Sequence, residues 1–279
     1  MNSLIKSYII VSNAESYDAT DMPKVNKPGL AKKLWGAWAT AGLGSAVVAV
    51  SFVIQALVAV VFVIIIVFSH FDPSLGPPQF EEVLNVLFAQ EGLLIALATC
   101  ISAVFGVGLI ILFIKARKGA GIAEYLGLKR ISVKKILVAL AIMLGFLVLS
   151  EGFGVLLGRP PHAEYLDMYK TSVWPALLWI AFIIFGPIFE ETLFRGFLFE
   201  GFRQSRIGAI GAVGLTALGW ALLHVQYDFY DIATIFVMGI VLGIVRLKTD
   251  SLWSPLIMHA FANLVTMILV ALSISGLIG

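Results

Sequence analysis

Seven stretches of this chain are long and apolar enough to be read as membrane spans, each near the roughly 20 apolar residues that a helical crossing needs. They are Gly42–Ser69, Gly92–Ile114, Ile136–Leu157, Val173–Phe199, Ile207–Val225, Ile232–Val245 and Leu252–Leu277. A membrane β-barrel would alternate apolar and polar residues in segments of about ten; these runs are continuous. Only 13% of the 279 residues are charged, against roughly 25% in soluble domains, which excludes a water-exposed globule. The expected fold is all-α, a polytopic transmembrane bundle of about seven to eight spans. The sixth stretch is the shortest. The fourth turns amphipathic after Glu190, so its last turns are expected at the membrane interface.

Lysine and arginine mark the cytoplasmic side of such a bundle. Five lie in the N-terminal tail and seven in the loop after the second span; Arg203 and Arg206 follow the fourth, and Arg246 and Lys248 the sixth. The intervening loops hold only Arg159 and Lys170, together with Asp72, Glu81, Glu82, Asp228 and Asp231. The bias predicts an integral, multi-pass membrane protein with a cytoplasmic N-terminus. Residues 1–40 show no signal pattern and are expected to form a polar tail. Residues 41–170 then supply N-terminal transmembrane helices and 171–279 a second group. The single cysteine, Cys100, excludes an intrachain disulfide.

Charges inside an apolar run need a reason, because each costs about 2.5–3.5 kcal/mol near a bilayer centre. After some seventeen uncharged residues, Val173 to Phe189, the fourth span carries Glu190, Glu191 and Arg195. Glu191 and Arg195 are four apart with the acid first, the better orientation for a helical ion pair. Adjacent residues on a helix point about 100° apart, which leaves Glu190 without a local partner and suits it to take and give protons. The structural alternative is a polar knot between helices.

The histidines favour chemistry. His70 and His162 fall in predicted loops, but His224 ends the fifth span and His259 lies in the seventh, with Asn263 one turn on along the same face. Intramembrane ionisable groups face cavities or one another. Glu190, His224, His259 and Asn263 are therefore expected to line one cavity. Glu151, toward the end of the third span, is expected to be interfacial or paired. Glu190, His224 and His259 could hold zinc with an open position for water. Without metal, Glu190 and His224 could act as bases while His259 and Asn263 stabilise an oxyanion. Neither H-E-x-x-H nor G-x-S-x-G is present. One difficulty is depth. His224 is near the end of its span, and His259 is about seven residues from the opposite end of its own. The two imidazoles meet only if Val225–Asp231 dips inward or the sixth span crosses a thinned or tilted region.

The motifs "EETLFR", "WALLH" and "HAFAN" resemble, in order and spacing, the E-E-x-x-x-R, F-x-x-x-H and H-x-x-x-N motifs of the CAAX-protease and bacteriocin-processing family of intramembrane proteases, also called the Abi family. The resemblance covers roughly Val173 to Val270, with Trp220 where phenylalanine is usual. It implies that 171–279 is a catalytic transmembrane core hydrolysing a peptide bond of a membrane-embedded or lipidated protein or peptide, such as a prenylated C-a-a-X protein. It implies Glu190 and His224 as the water-activating pair, His259 and Asn263 as oxyanion stabilisers, and Glu191 and Arg195 as support. The family has been classed both as zinc metalloproteases and as glutamate proteases; the asparagine favours the metal-free form. The resemblance also places the cavity mouth on the cytoplasmic side. The expected partners are the lipid bilayer and such a substrate, with no nucleic acid. The alternatives are a non-catalytic immunity or scaffold protein and, less favoured because the chain shows no related halves, a proton-coupled transporter.

Overall fold

A computed structural model of the protein describes residues 34–71, 73–74, 78–117, 119, 121–159 and 163–277. The polar tail before residue 34 and His162 lie outside the described residues. The elements are α1 (Ala37–Ser69), α2 (Phe80–Ala89), α3 (Glu91–Ala116), α4 (Ile122–Leu126), α5 (Val133–Leu156), α6 (Ala163–Lys170), α7 (Pro175–Arg203), α8 (Gly208–Leu222), α9 (Phe229–Thr249) and α10 (Trp253–Ile274). No strand occurs among the described residues. Six helices, α1, α3, α5, α7, α9 and α10, are long and apolar enough to cross a membrane. Helix α1 packs on α3, α8 on α9, and α10 on α5 and α7.

The lengths of the fifth and sixth segments are reversed from expectation. The sixth is a full 21-residue helix because Asp228 caps its start, its side chain accepting a hydrogen bond from the Asp231 amide at 3.1 Å. The helix therefore begins before the apolar run does, in the aromatic pair Phe229–Tyr230. The short helix is α8, with 15 residues, or about 22 Å at 1.5 Å per residue. That falls short of a hydrocarbon core about 30 Å thick.

Helix α7 is not uniformly α-helical. Pro187 has no N–H and its ring crowds the carbonyl one turn back. The chain answers with a π-helical turn over Ala181–Phe185, closed by the Gly186 N–H donating to the Ala181 carbonyl. A second π-helical stretch covers Thr192–Leu198. The last turns of α7 turn their amphipathic face into the bundle. Residues 191–197 and 199–203 are all buried, because the amphipathic face meets other helices rather than water.

The buried charges include some read from the sequence as loop charges. Arg203, Arg246 and Glu200 are all sealed inside. Glu200 pairs with Arg203 at 2.7 Å and with Arg246 at 3.5 Å, while Asp250 pairs with Arg203 at 2.9 Å and with Lys129. Burial pushes the Asp250 carboxyl up, but Lys129 and Arg203 outweigh it and hold the group well below the usual carboxylate range. A depressed folded-state value stabilises the fold above the unfolded-state value and ceases to do so as pH falls through the folded one. This pairing therefore yields only in strong acid.

Arg246 also donates from Nε to the Arg195 carbonyl at 3.0 Å, which fastens α9 to α7. Gly127, with φ +71°, lies directly against its guanidinium, and a Cβ there would collide with Nη2. Gly127→Ala is expected to destabilise the protein by at least about 1–2 kcal/mol, the cost of a left-handed backbone with a side chain. Thermal unfolding in detergent measures the loss, and an unchanged midpoint would contradict it.

Candidate active site

The second of two adjacent glutamates on α7 is sealed and the first is not. Glu191 is fully buried, and its Oε1 accepts from Arg195 Nη1 at 2.9 Å. The same oxygen lies 2.9 Å from His259 Nδ1 on α10. A carboxylate paired with an arginine accepts, so Nδ1 of His259 is the donor and its Nε2 is left for other work. The sequence anticipated the Arg195 pairing but not His259, which is 68 residues away. Arg195 is fixed further by donating to the Gly239 carbonyl at 3.2 Å. Gly239 admits this close approach because it has no Cβ: one would come within 3.1 Å of Arg195 Nη2.

The Glu190 side chain keeps 25% of its surface exposed, and Oε2 lies 4.0 Å from His259 Nε2. It is not without a partner, as the local spacing suggested. Trp220 Nε1–H on α8 donates to Oε2. An aromatic at this position reads from sequence as apolar filler, yet the Trp220 indole touches Glu190, Arg195, His224 and His259. Its ring carries the Arg195 guanidinium 4.5 Å from its centroid and meets the imidazoles of His224 and His259 edge-on at 5.5 and 5.2 Å.

His224 follows the end of α8. Its Nδ1 lies 2.9 Å from the Trp220 carbonyl, and because a carbonyl only accepts, Nδ1 carries the proton. Its ring stacks on Tyr227 at 5.9 Å. The depth difficulty is resolved by the shortness of α8, whose end stops beside the cavity.

Asn263 donates from Nδ2 to the Phe182 carbonyl at 2.7 Å. That carbonyl lies inside the π-turn. The Gly186 N–H is already given to Ala181 and Pro187 has none to give, so the side chain replaces the missing helical donor. One of the two Asn263 amide hydrogens is thereby committed to holding α10 on α7.

Glu190, His224, His259 and Asn263 all line one cavity of about 540 Å³. Glu151 lines it too, as do Tyr227, Asp228, Tyr230 and Asp231 from the predicted inward loop, whereas Val225 and Phe229 point outward. At the rim Arg159 pairs with Asp228 at 2.6 Å and Asp231 at 2.9 Å. A hydrogen bond from the Asp231 amide and the Arg159 charge hold the Asp228 carboxyl below its ordinary value. His70 lies elsewhere, with Nδ1 3.0 Å from the Ile66 carbonyl. Among the described residues no three histidine, cysteine, aspartate or glutamate side chains are arranged to hold a metal ion.

Residues 172–265 match the family model described as type II CAAX prenyl endopeptidase Rce1-like. Over that stretch the chain is similar to type II CAAX prenyl endopeptidases. Every residue of the cluster built around Glu190 falls within that Rce1-like segment, which is roughly a third of the chain. An Escherichia coli protein described as an uncharacterized 24.3 kDa protein is 26% identical over 140 residues, which is 49% of this chain and 63% of that protein. The chain thus spans less than two thirds of that relative's length. No solved structure matches.

Proposed function

We propose that the protein is an intramembrane endopeptidase that hydrolyses a peptide bond of a membrane-associated protein or peptide, using water activated by Glu190 and His224 without a metal ion. The supporting observation is the division between the two glutamates. Glu191 is committed to Arg195 and His259, whereas Glu190 faces the cavity with accessible surface. A general base must reach the proton it abstracts directly or through one water, and only the first carboxylate meets that condition.

In this reading Glu190 takes a proton from water as the water oxygen bonds to the scissile carbonyl carbon. His224, with Nδ1–H fixed by the Trp220 carbonyl, offers Nε2 as a second base. The oxyanion is stabilised by the second Asn263 amide hydrogen and by His259 when Nε2 also carries a proton. The C–N bond then breaks as the abstracted proton passes to the leaving nitrogen, giving an acid and an amine. The experiment is a cleavage assay in detergent on a membrane-anchored peptide library, wild type against Glu190→Ala. Fragments from the wild type alone support the reading; none from either protein would overturn it.

Trp220 acts in this scheme as a positioning residue, holding Glu190 Oε2 by its N–H. Trp220→Phe keeps an aromatic ring and removes the donor. Losing a hydrogen bond to a charged group, worth about 1.5–3 kcal/mol, is expected to lower kcat by about tenfold or more with KM little changed. A fall in unfolding temperature with kcat intact would make Trp220 merely a packing residue.

A further inference from the structure

The side of the membrane to which the cavity opens follows from combining its lining with the direction of the helices. The cavity is walled by the C-terminal half of α5 from Phe146 onward, by Arg159 just beyond it, by the residues after α8, by the N-terminal half of α9 and by His259–Thr266 of α10. All but the mid-helix residues of α10 share one end of the bundle, the end at which Arg159 bridges Asp228 and Asp231.

The basic residues gather at the other end. Lys115 and Arg117 close α3, and Lys129, Arg130, Lys134 and Lys135 surround the start of α5. The start of α1 is tied to that same end, since Trp35 donates to the Phe113 carbonyl at 3.1 Å and Arg117 to the Leu34 carbonyl at 3.1 Å. Arg206 precedes α8, and Lys248 lies in the last turn of α9. Among the described lysines and arginines, only Arg159 and Lys170 lie in the α5–α7 connection at the cavity end. Short loops rich in lysine and arginine stay in the cytoplasm.

We propose that the cavity opens on the non-cytoplasmic side, and that its substrate is a segment of a membrane-bound peptide or protein exposed on that side. This is opposite to the cytoplasmic mouth that the family resemblance implies. It rests on the proteolytic reading for what the substrate undergoes, but not for where the mouth lies. A prenylated tail made in the cytoplasm would meet the opposite end of the bundle, where Glu200, Arg203, Arg246 and Asp250 pair.

Single-cysteine labelling in a Cys100→Ala background tests the side directly. Val225 and Phe229 are 74% and 86% exposed beside the mouth, and Lys134 is exposed at the far end. None belongs to the site. A membrane-impermeant maleimide added to intact cells is expected to label Val225→Cys and Phe229→Cys fully and Lys134→Cys not at all until the cells are permeabilised. Two mouth positions are used so that one poorly folded variant does not decide the result. The reverse pattern at either mouth position together with Lys134→Cys would overturn the proposal. Because labelling needs no catalysis, it remains informative if the cleavage assay fails. Cleavage abolished by Glu190→Ala would stand even if labelling showed the opposite side.

Discussion

Replacing Glu190 and Glu191 separately by glutamine is expected to give two different defects. Glu190→Gln should lower the cleavage rate by about 10²–10⁴-fold, the range for loss of a general base, while leaving the unfolding temperature close to wild type. Its carboxylate is partly exposed to the cavity, and glutamine retains an oxygen that can accept from Trp220. Glu191→Gln should instead destabilise the protein by about 3–5 kcal/mol, as breaking a buried ion pair does. It leaves the fully buried Arg195 without its carboxylate at 2.9 Å, and the one amide oxygen that remains must serve Arg195 and His259 Nδ1 without a negative charge. Parallel unfolding and single-turnover measurements separate the two. Equal activity in wild type and Glu190→Gln would mean that the wrong carboxylate has been assigned.

Arg246→Met is expected to be the second large loss, again about 3–5 kcal/mol, although Arg246 does not line the site cavity. Methionine fills similar space but withdraws the donor to the Arg195 carbonyl and the cation 3.5 Å from buried Glu200. Glu200 then keeps Arg203 as its one cationic partner, with Gln204 Nε2 donating at 3.1 Å. Adding Glu200→Gln should recover part of the loss, because the two groups share one network and their effects are not additive. Chemical unfolding of the two single variants and the double variant measures this, and strict additivity would show that the contact is not energetically coupled.

The four residues lining the cavity were legible because the chain is so poor in polar groups inside its apolar runs. Glu190, His259 and Asn263 each interrupt an apolar helix, and His224 directly follows one, where apolar residues would otherwise serve. The Glu191–Arg195 pair was legible because it is local, four residues apart on one helix. What escaped was tertiary. Glu191 reaches His259 across 68 residues and Arg246 reaches Arg195 across 51, and no helical period reports either. Trp220 escaped because an indole is read as apolar volume, although its N–H is a donor that needs a partner once buried. The buried arginines escaped because a lysine or arginine beside a span looks the same in sequence whether it meets water or a carboxylate. The lengths of α8 and α9 were misjudged because hydropathy measures apolar composition, whereas a cap such as Asp228 decides where a helix begins.

The shortness of α8 bears on how a hydrolase inside a bilayer obtains its second reactant. A helix about 22 Å long in a hydrocarbon layer about 30 Å thick forces the surrounding lipid to thin or polar groups to descend beside its end. Descent is what the chain after α8 shows, with His224, Tyr227 and Asp228 set along the cavity rather than lifted clear of it. Hydration can follow those polar groups inward, so the distance a water molecule must travel to Glu190 is set by the length of one helix. Extending α8 by a turn would dry the site without altering any of its side chains.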